Sequence, residues 1–140
     1  MDIDYLTECV DLAIKASELD EVPVGAIVVK NNKIIGRGYN KKESSNLCTR
    51  HAEVEAIEKA NKSVGSWRLD NCVLYVTLEP CLMCCGAILE SRIDKVVYLS
   101  KRTNVLYNSS DYINSILYDD AVDLKEKYLD ILSDFFKKKR

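Results

Sequence analysis

The sequence predicts an α/β domain in which one mixed sheet is flanked by helices, and three observations lead there. Two apolar, β-rich runs at 24–30 and 33–40 are joined by Asn31-Asn32, a pair that tolerates the left-handed turn of a tight antiparallel hairpin. Further on, a run at 72–77, a helix opened by Pro80 and a run at 95–99 follow in strand, helix, strand order, which implies a right-handed parallel crossover. Amphipathic stretches at both ends of the chain supply helices to cover the sheet.

With 140 residues, 47% hydrophobic and 30% charged, and with five glycines and two prolines, the chain has the size and composition of a single globular domain spanning 1–140. The start, Met1-Asp2-Ile3-Asp4, shows no basic region followed by an apolar run, and no stretch approaches the ~20 apolar residues that span a bilayer. A cytoplasmic location is therefore expected. Without an export signal, the six cysteines (Cys9, Cys48, Cys72, Cys81, Cys84 and Cys85) are expected as reduced thiols, some of them metal ligands, and not as a disulfide framework. A formal net charge of −2 excludes a globally basic nucleic-acid binder and leaves room for a local patch.

The elements follow in order. Leu6, Val10, Ala13, Ile14 and Ala16 or Ser17 recur at helical spacing over 4–19. After the hairpin, 41–49 is polar and unpatterned, a loop that delivers the chain to His51 and a natural place for substrate contacts. A helix is expected over 52–60, with Val54, Ile57 and Ala60 on one face. Glu55 with Lys59 and Glu58 with Lys62 form i,i+4 pairs on the other, so both acids read as solvated. Gly65 and Trp67 lie in the segment that ends it. Pro80 is expected in the first turn of a helix over 81–90, where its missing N–H costs nothing. The region 101–120 has mixed polarity and no glycine, and 113–118 reads as either a helix or an edge strand. Leu124, Tyr128, Ile131, Leu132, Phe135 and Phe136 trace a stripe through a last helix that closes on Lys137-Lys138-Lys139-Arg140. Those cations suit a helix C-terminus as well as they suit RNA.

His51 is the single histidine, so any imidazole chemistry happens there. It stands in His51-Ala52-Glu53, and further along comes Pro80-Cys81-Leu82-Met83-Cys84. A Cys-x-x-Cys at a helix entrance is either a metal signature or a redox pair of the thioredoxin kind, and the redox reading leaves His51-Ala52-Glu53 unused. His51, Cys81 and Cys84 make three ligands, the number for a catalytic zinc that keeps a fourth position open; Cys85 or Cys48 as a fourth would close a structural site. Two thiolates and an imidazole favour zinc over iron. Two thiolates also cancel the charge of Zn²⁺, so the metal acidifies a water less than an all-histidine site would, and a nearby base gains value. Glu53 is that base, the competing reading being an ordinary solvated glutamate. Residues i and i+2 diverge by about 200° on a helix of ~3.6 residues per turn, so His51 and Glu53 converge only at a helix entrance.

The pairing of His51-Ala52-Glu53 with Pro80-Cys81-Leu82-Met83-Cys84 resembles the signature of the zinc-dependent nucleoside and nucleobase deaminases. Within that superfamily the likeness is to the bacterial tRNA-specific adenosine deaminases, which make inosine from adenosine at the wobble position (A34) of tRNA. It is carried by 22–27, Gly38-Tyr39-Asn40, Arg50-His51-Ala52-Glu53, 65–69, 74–87 and, near the end, 132–136. The resemblance implies a three-layer α/β/α cytidine-deaminase-like fold with a mixed central sheet, assembled as a homodimer. It further implies one Zn²⁺ per subunit on His51, Cys81 and Cys84, Glu53 as proton shuttle, Asn40 as a nucleoside-binding residue, and the anticodon stem-loop of tRNA as partner. The chain departs from the family after Tyr98: where relatives carry an acidic residue and a glycine-rich loop, it has Leu99-Ser100-Lys101-Arg102-Thr103-Asn104-Val105-Leu106, and the stretch up to the last helix is shorter. Lys101 and Arg102 are suited to phosphate contacts. The alternatives are the same chemistry on a free base or nucleoside of the guanine or cytosine type, and a noncatalytic RNA-binding pseudo-deaminase. Retention of Glu53 argues against the latter.

Overall fold

A computed structural model describes residues 2–139. The elements run α1 (Asp2–Glu18), β1 (Gly25–Lys30), β2 (Lys33–Tyr39), α2 (Lys42–Ser45), α3 (Ala52–Val64), β3 (Cys72–Leu78), α4 (Leu82–Ser91), β4 (Lys95–Ser100), β5 (Ser115–Leu117) and α5 (Val122–Lys138). Asn31 and Asn32, at φ 50° and 62°, turn the hairpin as their tolerance of the left-handed region predicts. The five strands order as β2-β1-β3-β4-β5, with β1 antiparallel to both neighbours and β3, β4 and β5 mutually parallel.

Side chains alternate across this sheet, and the two sets are covered separately. Ala26, Val28, Leu74, Val76, Val96 and Tyr98 face Ala52, Ala56, Ile57 and Ala60 of α3 and Cys85 and Ile88 of α4. Ile27, Val29, Tyr75, Val97 and Leu99 face Leu6, Cys9, Val10 and Ala13 of α1 and Tyr128 of α5. The result is the three-layer α/β/α fold that the resemblance implies. The seat of α3 is set by β2: a Cβ on Gly38 would lie 2.3 Å from the carbonyl oxygen of Ala52, and one on Gly36 would lie 2.3 Å from that of Ala56. Only glycines let the helix backbone rest directly on the strand, which places the first turn of α3 beside the end of β2.

Two expectations are corrected and one open reading is resolved. The polar segment 41–49 is not wholly loop, because α2 forms over Lys42–Ser45. Its first amides are satisfied from outside: the buried Glu21 carboxylate accepts from the N–H of Glu43 at 2.9 Å and of Ser44 at 2.6 Å. Pro80 precedes the cap of α4 and does not stand in its first turn, since Cys81 is the N-cap with φ −72° and ψ 173°. The ambiguous stretch 113–118 resolves as the short edge strand β5, parallel to β4. Of the cationic ending, Arg140 lies outside the described residues.

Candidate active site

The site is built where two helix entrances meet beside the carboxyl end of β3. His51 caps α3 and Cys81 caps α4, both with extended backbone and neither using its side chain to cap its own helix. Freed from that role, the two side chains face each other. His51 Nδ1 lies 3.5 Å from Cys81 Sγ and 3.6 Å from Cys84 Sγ, and the three ligand atoms all fall within 4.8 Å of one another. A hydrogen bond from the Cys84 thiol overcomes burial and, with one from His51, draws the Cys81 thiol down to about 3. The same bond pushes Cys84 up, and that to Cys81 raises His51.

Neither candidate fourth ligand joins this group among the described residues. Cys85 Sγ turns to the carbonyl oxygen of Pro80 at 3.8 Å, with burial raising its pKa to about 11, and Cys48 is exposed. Three donors, two of them sulfur and one imidazole nitrogen, are the set for a zinc ion with a position left open.

Glu53, in the first turn of α3, is 2% exposed. Burial, reinforced by the negative charge of Cys81, outweighs its own backbone N–H and raises its pKa to about 6. Because His51 stands outside the helix as its cap, the two side chains line one pocket despite their i,i+2 spacing. That pocket, about 170 Å³, is walled by Val22, Val24 and Leu78 and also lined by Asn40, Lys42 and Arg102. Asn40 is buried, and its Oδ1 has no hydrogen-bond partner among the described residues. A buried carbonyl oxygen without a donor carries a desolvation cost that a bound polar group relieves.

Two segments bring cations to the pocket. The first, 41–50, is clamped to α3: Arg50 pairs with Glu55 and, by two bonds at 2.9 Å, with Glu58, while Lys41 Nζ lies 2.9 Å from Glu55. This corrects the reading of Glu55 and Glu58 as solvated i,i+4 partners of Lys59 and Lys62; Glu55 is 9% exposed. Burial pushes its pKa up, yet Lys41 and Arg50 together hold it below the ordinary 4.5.

The second segment follows β4 and hangs on Glu79, which is fully buried. Its carboxylate accepts from Ser109 N at 2.8 Å, Ser109 Oγ at 2.7 Å and Arg102 N at 3.2 Å. Arg102 Nε donates in turn to the Glu79 carbonyl oxygen at 3.2 Å. Sequence reasoning missed Glu79 as a support and the valine and leucine walls. The available signal for Glu79 was an acid set between Leu78 and Pro80, immediately before the cysteine pair.

The chain matches the family model of the MafB19-like deaminases over residues 2–140. It is 48% identical over 94 residues to the tRNA-specific adenosine deaminase of Bacillus subtilis (strain 168), covering 67% of this chain and 58% of that protein, less than two thirds of its length. With the tRNA-specific adenosine deaminase of Buchnera aphidicola subsp. Schizaphis graminum it shares 42% identity over 136 residues, 91% of this chain and 89% of the relative. A structure from a study of A-to-I editing by tRNA:A34 deaminases at the wobble position of transfer RNA superposes with a TM-score of 0.70 and 38% identity, covering 71% of this chain and 77% of the other. Guanine deaminase from Bacillus subtilis superposes with a TM-score of 0.69 and 38% identity, covering 79% and 70%. The chain belongs to the MafB19-like deaminase family, and the two curated relatives named above are tRNA-specific adenosine deaminases.

Proposed function

We propose that this protein is a zinc-dependent hydrolase that deaminates adenosine to inosine at the wobble position (A34) of tRNA, a tRNA-processing, RNA-editing enzyme. The observation that carries the reading is the convergence of His51, Cys81 and Cys84 beside a pocket that Glu53 and Asn40 also line, in a chain similar to tRNA-specific adenosine deaminases. The three donors would hold one Zn²⁺ per subunit, and their sulfur and imidazole chemistry fits that ion. When bound, zinc acidifies water and so supplies the nucleophile.

Every other task falls to side chains of this chain. Glu53, raised to about 6 by burial, sits where a carboxylate can take a proton near neutral pH and give it back. It takes one proton of the attacking water and passes it to the ring nitrogen of adenine, then takes the second from the hydroxyl now on C6 and gives it to the departing amino group. Water adds at C6, the C6–N bond breaks, and ammonia leaves inosine behind. Asn40 orients the nucleoside through its unpartnered Oδ1.

We place the enzyme in the cytoplasm with its RNA, as a homodimer that meets the anticodon stem-loop. A groove between α3 and α4 with an apolar floor of Val54, Ile57, Trp67 and Ala87 and a polar rim that includes Glu58, Glu90 and Arg92 supports the dimer, and Trp67 is 57% exposed. The likeness to guanine deaminase favours one second reading, deamination of a free base. The purified protein is given tRNA with an A34 anticodon and, separately, free adenosine, cytidine and guanine. Inosine in the tRNA alone is the expected result; ammonia from a free base or nucleoside would overturn the tRNA reading in favour of the small-molecule one.

A further inference from the structure

Two cations line the active-site pocket with no hydrogen bond or ion pair at their charged ends among the described residues. Arg102 spends its Nε on the Glu79 carbonyl oxygen, but its two terminal amino groups make no hydrogen bond or ion pair with any described residue. The ammonium of Lys42 likewise has none. Neighbouring cations are used differently: Lys41 and Arg50 are paired with Glu55 and Glu58, and Lys101 reaches Glu79 and Asn108. In a chain of net charge −2, two cations left unpaired in this way beside the cluster of His51, Cys81 and Cys84 are an arrangement for an anion.

Arg102 is also held in place before any ligand arrives. Its backbone N–H is tied to the buried Glu79 carboxylate at 3.2 Å and its Nε to the Glu79 backbone at 3.2 Å, while Ser109 fixes that carboxylate from the far side of the segment. The fork of terminal N–H groups is thus preorganised, and a planar guanidinium fork matches a phosphate in bidentate fashion. The pocket itself, about 170 Å³ and walled by Val22, Val24 and Leu78, suits an uncharged base. A free base brings no anion for the two cations, whereas an internal nucleotide carries a phosphate on each side of its sugar.

We propose that Arg102, assisted by Lys42, binds a backbone phosphate adjoining the adenosine that is deaminated, and so selects a nucleotide within an RNA strand over a free nucleoside. This rests on the reading of the chain as an RNA adenosine deaminase. It gives the segment after β4 a binding role carried by residues of this chain.

The test uses zinc-loaded, full-length protein and an RNA stem-loop with a single reactive adenosine, in natural form and with a neutral methylphosphonate replacing the phosphate 5′ or 3′ of that adenosine. For Arg102→Gln, KM rises about tenfold with kcat nearly unchanged, and the salt dependence of log(kcat/KM) becomes shallower by roughly 0.7, the slope lost with one single-strand phosphate contact. Arg102→Lys, which keeps the charge and loses the fork, shows a smaller rise in KM. In the wild type, one of the two neutral linkages reproduces the Arg102→Gln defect, and that linkage causes no further loss in the variant. Unchanged KM and salt slope in Arg102→Gln, or neutral linkages that harm the variant as much as the wild type, would overturn the proposal while leaving RNA deamination standing. RNA left unreacted by the wild type would bring down both readings. Zinc content and melting temperature of each variant show that it is folded; were Arg102→Gln to misfold, Arg102→Lys with the same linkages decides.

Discussion

The two segments that carry cations to the pocket are anchored by opposite means. Residues 41–50 are clamped to α3 by ion pairs near the surface, with the Arg50 side chain 23% and Glu58 46% exposed. Residues 101–109 hang instead on a carboxylate with no solvent exposure, satisfied mainly by backbone and hydroxyl donors, with the Lys101 ammonium farther off at 3.6 Å. The water-facing members of the first set, Lys41, Arg50 and Glu58, are open to screening by salt, whereas a buried carboxylate stripped of its donors leaves unpaired polar groups at full desolvation cost. The first segment is therefore adjustable and the second is fixed, which suits a site that admits a substrate past one rim and presents Arg102 from the other.

The largest expected effect separates both rims from the chemistry between them. Glu53→Gln keeps the shape of the pocket and the His51, Cys81 and Cys84 donors but removes the carboxylate proposed to move protons. Its kcat should fall by about 10²–10⁴, the usual contribution of a positioned acid–base group, with zinc stoichiometry unchanged by elemental analysis. A variant that retained zinc and turned over at the wild-type rate would show that Glu53 is only a buried acid.

The next effect tests the fixed rim. Glu79→Gln keeps the shape but removes the charge that receives Ser109 N, Ser109 Oγ and Arg102 N. Hydrogen bonds to a charged group contribute about 1.5–3 kcal/mol each in favourable cases, so denaturant melts should show a loss on that order. Amide exchange should quicken at Ser109 and Arg102 and stay slow in the hairpin. Uniform loosening across the sheet would mean that Glu79 supports the core and not the rim.

This contrast also explains what was legible in the sequence. The hairpin, the parallel crossover and the donors His51, Cys81 and Cys84 depend on short-range patterns: alternation, turn residues, and cysteines one helical turn apart. Sequence pattern puts Pro80 in the first turn, but Cys81 takes the extended cap position and leaves Pro80 ahead of the helix. Helical spacing offers Glu55 the solvent-side Lys59, while its actual partners, Lys41 and Arg50, precede α3 and reach it from the 41–50 segment. Glu79 and Ser109 are 30 residues apart and follow no period, so only the folded chain brings them together. The pocket walls share this obscurity, since Val22, Leu78 and Arg102 come from three separate junctions.

The smallest effect tests the adjustable rim, and its sign follows from Glu55. Burial raises the pKa of this carboxyl, but Lys41 and Arg50 more than compensate and hold it below the ordinary 4.5. A carboxyl depressed in the folded state contributes its full stabilisation above about pH 4.5 and loses it as pH falls through the lower folded value. Acidification through that window should therefore release the 41–50 segment, seen as faster exchange of the Lys41 amide, which donates to the Arg50 carbonyl oxygen at 2.9 Å. Glu55→Gln should abolish that pH step at a cost of about 1 kcal/mol, because Lys41 and Arg50 keep partial contact with water although the carboxylate itself is buried. Molar salt should mimic part of the change in the wild type while leaving Ser109 protected, because screening reaches the surface pairs and not the buried carboxylate. If salt loosened Ser109 as much as Lys41, the two rims would be held by the same physics and the distinction between them would fail.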